Sequence, residues 1–184
     1  MNAANWFIAL PVTPGPWFQA LTPPPAVRLF APTDLHLTVA FLGAASETRA
    51  LAAFELAADF PLAPLEVRLG ALEGLGGKRR PSAFSALLTQ GRDAVEMALG
   101  TARSAMWERA GARADTRPPL AHVTLARPQR KATEVEVAHA LAWARALDLG
   151  APSCTLTTIA LYTWSEDRSQ TLFRRTRELP LREA

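Results

Sequence analysis

The chain is poor in cysteine and in lysine. Among its 184 residues Cys154 is the single cysteine, so no disulfide can form within the chain. We expect Cys154, which lies in an apolar segment, to be a buried, unreactive thiol in a reducing compartment. Lys78 and Lys131 are the two lysines, and the other basic residues are arginines, whose planar guanidinium suits phosphate. The formal net charge of +3 is too small to predict nucleic-acid binding by itself.

Targeting signals and long apolar runs are also missing. The opening MNAANWFIALPV has no basic segment and its apolar run stops at Pro11, unlike a secretory signal. No segment approaches the roughly 20 apolar residues of a membrane-spanning helix. Hydrophobic residues make up 49% of the chain, which favours a folded core over disorder. We therefore expect a cytoplasmic protein that does not contact membranes.

Apolar periodicity and turn residues divide the chain into strands and helices. Strands are predicted over residues 6–12, 27–32, 34–43, 64–76, 82–90, 120–127, 154–164 and 170–179. Helices are predicted over residues 46–60, 92–111 and 133–150, the last of them opened by a capping box of Thr133 and Glu136. Residues 13–26 are rich in proline and are expected to be mostly irregular. Since no linker separates the halves, we expect residues 1–184 to form one compact domain of two lobes.

Two short segments of the chain are nearly the same. DLHLTVAFLG (34–43) and LAHVTLARP (120–128) each contain His-x-Thr-x-Ala within an apolar run. Because strand side chains alternate between faces, we expect the histidine, threonine and alanine of each motif to share one face. These residues are His36, Thr38 and Ala40 in the first motif and His122, Thr124 and Ala126 in the second. Two such strands, one in each lobe, would face each other across a cleft.

The repeated motif suits displacement at the phosphorus of a phosphodiester. The attacking and leaving oxygens lie on opposite sides of phosphorus, so one side needs a base and the other an acid. Two imidazoles with ordinary pKa values of about 6.5 can hold opposite protonation states near neutral pH. Each threonine hydroxyl can donate to a non-bridging oxygen. The residues alone do not say which histidine is the acid.

A structural role or a metal site fits the paired histidines less well. A single His-x-Thr would usually be a buried histidine bonded by its neighbour, but its duplication argues against that interpretation. A catalytic zinc usually has three protein ligands, and neither motif brings a third at a suitable spacing, so we predict no metal and no cofactor. The third histidine, His139, lies on a predicted helix and is expected at the surface.

A glycine-rich segment, GLGGKRRP (74–81), lacks the spacing and the terminal Lys-Ser/Thr of a phosphate-binding loop. We interpret it as the tip of a hairpin that presents its basic side chains to a polyanion. These side chains are Lys78, Arg79 and Arg80.

The paired motifs, in a chain of this length, closely resemble those of the RNA 2′,3′-cyclic phosphodiesterases. These enzymes are also called 2′-5′ RNA ligases and belong to the two-histidine phosphoesterase superfamily. WFIALPV (6–12) and IALYTW (159–164) resemble the family's first and late strands. The resemblance implies an α+β, bilobal fold with two pseudo-symmetric lobes of antiparallel sheet, outer helices and a central cleft. In contrast, residues 13–26 are too short for the family's usual long first helix.

The resemblance also implies the residues of the site. The catalytic residues would be His36 and His122, and the substrate-binding residues Thr38, Thr124, Arg127 and Arg130. His122 would be the base that activates water, and His36 the acid that protonates the leaving oxygen. Arg127 has the strand parity opposite to that of His122, so we expect Pro128 to end the strand and let the chain turn toward the cleft.

The function implied by the resemblance is metal-independent hydrolysis of RNA 2′,3′-cyclic phosphate ends to 2′-phosphates, with 2′-5′ ligation as the reverse reaction. The partner would be an RNA end or a cyclic nucleotide, and we expect a monomer. Two alternatives remain open. One is a module that binds RNA ends without turnover, and the other is a phosphodiesterase for a small cyclic nucleotide or sugar phosphate.

Overall fold

The computed structural model describes residues 5–77 and 79–183. These residues form an α+β fold of two antiparallel sheets with helices on the outside, as predicted. In chain order the elements are β1 (Trp6–Pro11), α1 (Pro16–Gln19), β2 (Val27–Leu29), β3 (His36–Gly43), α2 (Glu47–Glu55), β4 (Leu65–Gly76), β5 (Pro81–Gln90), α3 (Arg92–Ala110), β6 (His122–Pro128), α4 (Glu134–Ala146), β7 (Ser153–Leu156), β8 (Thr158–Trp164) and β9 (Phe173–Pro180).

The two sheets each contain one histidine strand. The first sheet has the strand order β3-β1-β8-β9, so β3 is an edge strand, whereas the second has the order β2-β6-β5-β4-β7, so β6 is internal. Strands β3 and β6 contact each other, and α2 and α3 pack together over β1 and β3. The apolar faces of both sheets contribute to one core, with Ile8 and Leu37 from the first sheet and Leu88 and Leu125 from the second.

The three predicted helices begin where expected, but α2 ends at Glu55 and α4 at Ala146, before their predicted ends. Ser46 caps α2 by accepting the backbone N–H of Arg49. The predicted capping box of Thr133 and Glu136 is present at the start of α4. Helix α3 ends at Gly111, whose φ of 64° lies in the left-handed region that glycine adopts at low cost. No helix in the described residues is both long and apolar enough to span a membrane.

The predicted strand over residues 154–164 is in fact two strands in different sheets. Strand β7 pairs with β4 in the second sheet, and β8 pairs with β1 and β9 in the first. The break falls at Thr157, whose carbonyl accepts the N–H of Leu181. Cys154, expected to be buried, is half-buried. Desolvation still raises the pKa of its thiol, which keeps it in the unreactive thiol form.

Several smaller predictions can be compared with the structure. Residues 13–26 are mostly irregular as predicted, with the four residues of α1 as their helix. His139 is exposed on α4 as predicted. The glycine-rich segment is the tip of the β4–β5 hairpin. Arg79 there is exposed, and Arg80 donates to the carbonyls of the loop after β6, whereas Lys78 lies outside the described residues.

Candidate active site

Both motif histidines are held by the same backbone hydrogen bond. The Nδ1 atom of His36 lies 2.6 Å from the carbonyl oxygen of Asp34, and that of His122 lies 2.7 Å from the carbonyl oxygen of Leu120. Since a carbonyl can only accept, each Nδ1 carries the proton of the neutral ring. Each Nε2 then keeps a lone pair or a second proton for a substrate. Both rings are half-buried, as the side chains of a cleft would be.

A β-bulge follows the threonine of the second motif. Thr124 pairs with Ser85, but Ala126 pairs with the neighbouring Phe84, so β6 has one extra residue between these pairs. Opposed residues share a face of the sheet, so Ala126 turns into the core, where it is fully buried. The prediction that Ala126 shares the face of the histidine and threonine is therefore wrong. The bulge returns Arg127 to that face.

The first motif contains the same bulge. Thr38 pairs with Ala9, and Ala40 pairs with the adjacent Ile8 in the core. The prediction that Ala40 shares the face of Thr38 is wrong for the same reason. Phe41 pairs with Phe7 and returns to the histidine face, where its side chain is 53% exposed. After the bulge, the two motifs therefore carry a phenyl ring in one strand and a guanidinium in the other.

Arg127 lies on the same sheet face as His122 and Thr124, although its sequence parity predicted otherwise. Strand β6 ends at Pro128 as expected, but the bulge and not a turn at Pro128 reverses the parity. The Cζ atom of Arg127 lies 5.3 Å from the centre of the Phe30 ring. Its positive charge is close enough to His36 to lower the pKa of that imidazole.

His36 lies among aromatic rings. The centre of its ring is 4.7 Å from that of Phe7, 5.5 Å from that of Tyr162 and 5.4 Å from that of Phe173, which meets it edge-on. Desolvation by these neighbours is the main cause that lowers the pKa of His36 to about 4. The backbone bond and the carboxylate of Asp34 raise the pKa, and the charges of Arg127 and His122 lower it. Without a ligand, His36 is therefore neutral at pH 7.

Asp34 connects the first histidine to the end of the chain. Its carboxylate is fully buried, with 0% exposure. It accepts hydrogen bonds from the hydroxyl of Thr171 at 2.6 Å, the N–H of Leu172 at 2.8 Å and the N–H of Phe173 at 3.1 Å. Its backbone carbonyl meanwhile holds the His36 ring. Sequence reasoning missed this role, because the partners of Asp34 follow more than 130 residues later.

The two motif threonines differ in their hydrogen bonds. The hydroxyl of Thr124 lies 2.9 Å from that of Ser85, which has 0% exposure. If Ser85 donates to it, Thr124 keeps its own proton for a substrate oxygen. Thr38 faces Ala9 instead, and its hydroxyl has no hydrogen-bond partner in residues 5–77 and 79–183. Sequence reasoning missed Ser85, which lies on a different strand from either motif.

Arg130 lies in the exposed loop after β6. Its backbone carbonyl accepts a hydrogen bond from Arg80 at 3.3 Å. Among the described residues, no contact joins the guanidinium of Arg130 to His36 or His122. Within the described residues there is also no group of three or more His, Cys, Asp or Glu side chains that could hold a metal ion.

Several solved structures have a similar fold, and one of them is named as a phosphoesterase. No protein-family model and no curated protein sequence matches the chain. The structure of E. coli LigT complexed with 3′-AMP is 23% identical, covers 98% of this chain and 99% of its own, and has a TM-score of 0.71. A crystal structure named only as a phosphoesterase is 22% identical over 99% of this chain and 100% of its own, with a TM-score of 0.71.

A third match is TT0787 of Thermus thermophilus, which is 20% identical over 96% of this chain and 97% of its own, with a TM-score of 0.66. Each similarity extends over nearly the full length of both chains. This chain therefore has the bilobal fold of these solved structures, with two sheets that each contribute one His-x-Thr strand.

Proposed function

We propose that the protein is a 2′,3′-cyclic phosphodiesterase that opens the cyclic phosphate at an RNA end and leaves a 2′-phosphate. The observation that carries this proposal is the pair of half-buried imidazoles on contacting strands, each with Nδ1 fixed by a backbone carbonyl. Nothing in a purely structural role requires the same ring orientation twice. LigT, which has this fold, has been solved with 3′-AMP, with NADP+ and with ATP, which supports a nucleotide-like substrate.

The reaction follows from the two free Nε2 atoms. His122 takes a proton from water, whose oxygen forms the new bond to phosphorus. The bond from phosphorus to the 3′ oxygen breaks on the opposite side, and His36 gives that oxygen a proton. Thr38 and Thr124 donate to the non-bridging oxygens, and Arg127 supplies a fixed positive charge. With an RNA 5′-hydroxyl in place of water as the nucleophile, the same displacement of the 3′ oxygen would join two ends through a 2′-5′ linkage.

This order of roles requires His36 to gain a proton when substrate binds. Its pKa of about 4 leaves it neutral in the free protein at pH 7. A phosphate anion beside Nε2 favours the imidazolium and raises that pKa. Substrate affinity should therefore be coupled to proton uptake by His36. Since both motifs lie in one chain, we propose that a monomer is the working unit.

Hydrolysis of an oligonucleotide with a 2′,3′-cyclic end tests the proposal. His36→Ala and His122→Ala should each lower turnover by roughly 10² to 10⁴. His139→Ala, which removes an exposed histidine from α4, is the matched control and should leave turnover unchanged. Activity should persist in excess EDTA, because the acid and the base are both side chains. No turnover with retained binding of the 2′-phosphate product would favour a non-catalytic binding module instead.

A further inference from the structure

Two further arginines lie beside Arg127 on one rim of the cleft. Arg28 of β2 is directly opposite Arg127 of β6, so their side chains share a face of the second sheet. A guanidinium nitrogen of Arg28 donates to the carbonyls of Arg168 at 2.8 Å and Ser169 at 3.1 Å. Desolvation is the main cause that lowers the pKa of the Arg127 guanidinium, and the nearby positive charge of Arg168 lowers it further. The three guanidiniums therefore form one cluster, here called the arginine rim.

The arginine rim has no acidic partner within the described residues. The ion pairs there join Arg92 to Glu96, Arg117 to Asp115, Arg175 to Glu178 and Arg182 to Asp59. The two acids next to Arg168, Glu166 and Asp167, are exposed, and Asp167 accepts the N–H of Ser169. Like charges held together without a counter-charge repel each other. An anion bound between them would remove that repulsion.

The segment that carries Arg168 is fixed in place. The Asp34 carboxylate binds Thr171 and the next two residues, and Arg28 binds the carbonyl of Arg168 itself. The Cζ atom of Arg168 lies 4.4 Å from the centre of the Trp164 ring, in a cation–π contact. One face of the guanidinium is thus covered by the indole. Its other face is available to a planar group, since Arg168 is exposed.

The arginine rim adjoins the His36 side of the cleft. Arg127 is close enough to act on the pKa of His36. Phe173, which directly follows the segment that carries Arg168, contacts the His36 ring. A substrate phosphate between the two histidines would therefore have the rim next to it, and a chain extending from that phosphate would cross the rim.

We propose that the arginine rim and Trp164 form a subsite for the nucleotide that precedes the cyclic end. Arg127 and Arg168 bind the phosphodiester that joins this nucleotide to the cyclic one, and its base stacks on the open face of the Arg168 guanidinium. This inference rests on the proposed function and narrows its substrate class. The protein would act on RNA ends of two or more nucleotides in preference to free cyclic mononucleotides.

Three substrates test the subsite: uridine 2′,3′-cyclic phosphate, the dinucleotide UpU with a 2′,3′-cyclic end, and the same dinucleotide with an uncharged methylphosphonate link. The charged dinucleotide should have a kcat/KM roughly tenfold or more above that of the mononucleotide. The uncharged link should remove most of that preference. Raising the salt concentration should also reduce it, because a bound phosphate releases counterions.

The preference for the charged dinucleotide should depend on Arg168. Arg168→Ala should lower the ratio of the two kcat/KM values by at least about fivefold. Arg168→Lys keeps the positive charge but lacks the planar guanidinium, so its ratio should lie between those of Arg168→Ala and the parent protein. Arg182→Ala is the matched control. Arg182 is exposed and follows the far end of β9, and its guanidinium pairs with Asp59. It should keep the preference of the parent protein.

The outcomes separate this inference from the proposed function. Equal kcat/KM values for the mononucleotide and the charged dinucleotide overturn the subsite and leave the phosphodiesterase in place. A preference that survives Arg168→Ala, or that Arg182→Ala lowers as much, also overturns it. If the parent hydrolyses none of the three substrates, the proposed function fails and the subsite fails with it.

Discussion

The strands that carry His36 and His122 have the same motif, the same backbone hydrogen bond and the same bulge, but their surroundings differ. His36 is packed among aromatic rings on an edge strand, whereas β6 is an internal strand whose Thr124 is bonded to Ser85. After the bulge one strand presents Phe41 and the other Arg127. The motif therefore repeats the imidazole and the hydroxyl. The neighbours supplied by other strands give each copy a separate role.

The largest expected effect concerns which histidine is the acid. In His122→Ala, His36 is the remaining acid–base group of the pair. If His36 is the acid, the residual kcat/KM should fall by up to tenfold per pH unit as pH rises above the pKa of about 4. In His36→Ala, the residual kcat/KM should rise with pH, because the base His122 remains. If the residual rate in His122→Ala instead increases through pH 4 and then stays level, His36 is the base and His122 is the acid.

The carboxylate of Asp34 has no counterpart in the second motif. Leu120 occupies the equivalent position, two residues before His122, and accepts from the histidine through its backbone carbonyl alone. Asp34→Ala would remove the carboxylate that accepts from three donors, of which the N–H of Leu172 is buried. We expect a loss of about 2 to 4 kcal/mol in the free energy of unfolding, measured in urea. Thr171→Val, which removes one of the three donors, should cost about 1 kcal/mol. Equal losses in the two variants would contradict the anchoring role.

Asp34→Asn separates charge from anchoring. Its carboxylate raises the pKa of His36, so the neutral amide should lower that pKa further. The limb of the pH–rate profile that belongs to His36 should move to lower pH. An unmoved limb would mean that the carboxylate charge does not reach the ring.

The pKa of His36 also predicts how stability depends on pH. Its folded value of about 4 lies below the ordinary value of 6.5, so the unfolded chain binds more protons between these limits. Stability should fall as pH decreases from about 6.5 to 4, by up to about 3 kcal/mol from this group. His36→Gln should remove that part of the dependence, whereas His139→Gln should keep it. Identical curves for the parent and His36→Gln would show that the ring is not desolvated.

The smallest expected effect concerns the threonines. Ser85→Ala would give Thr124 an apolar neighbour, as Thr38 already has in Ala9. We expect KM to change by about two- to fivefold, the range of one modest hydrogen bond, with the pH profile in place. Thr124→Val, which removes the hydroxyl that we place on the phosphate, should have the larger effect. Equal effects would mean that Ser85 itself contacts the substrate.

Local sequence patterns predicted much of the fold. The capping box at Thr133, the end of α3 at Gly111 and the two His-x-Thr strands depend on residues close together in the chain. The bulges could not be predicted, because they depend on the register with β1 and β5 and not on alternation within the motif. This is why Ala40 and Ala126 were assigned to the wrong face.

Contacts between distant segments account for the other misses. The bond from Asp34 to Thr171 joins parts of the chain that no local pattern connects. The break at Thr157 was hidden because β7 and β8 together form one run of β-prone residues. Strand β8 is buried on both faces, whereas only Leu156 of β7 is buried. That difference arises from the sheet to which each strand belongs.

The position of the product phosphate tests the central claim most directly. The parent protein is incubated with a dinucleotide that has a 2′,3′-cyclic end, and phosphorus NMR distinguishes the two possible monoesters. Attack by water opposite the 3′ oxygen predicts a 2′-phosphate as the product, with its formation abolished in the His36→Ala, His122→Ala double variant. A 3′-phosphate, or an unchanged cyclic end after prolonged incubation, would contradict the two-histidine account.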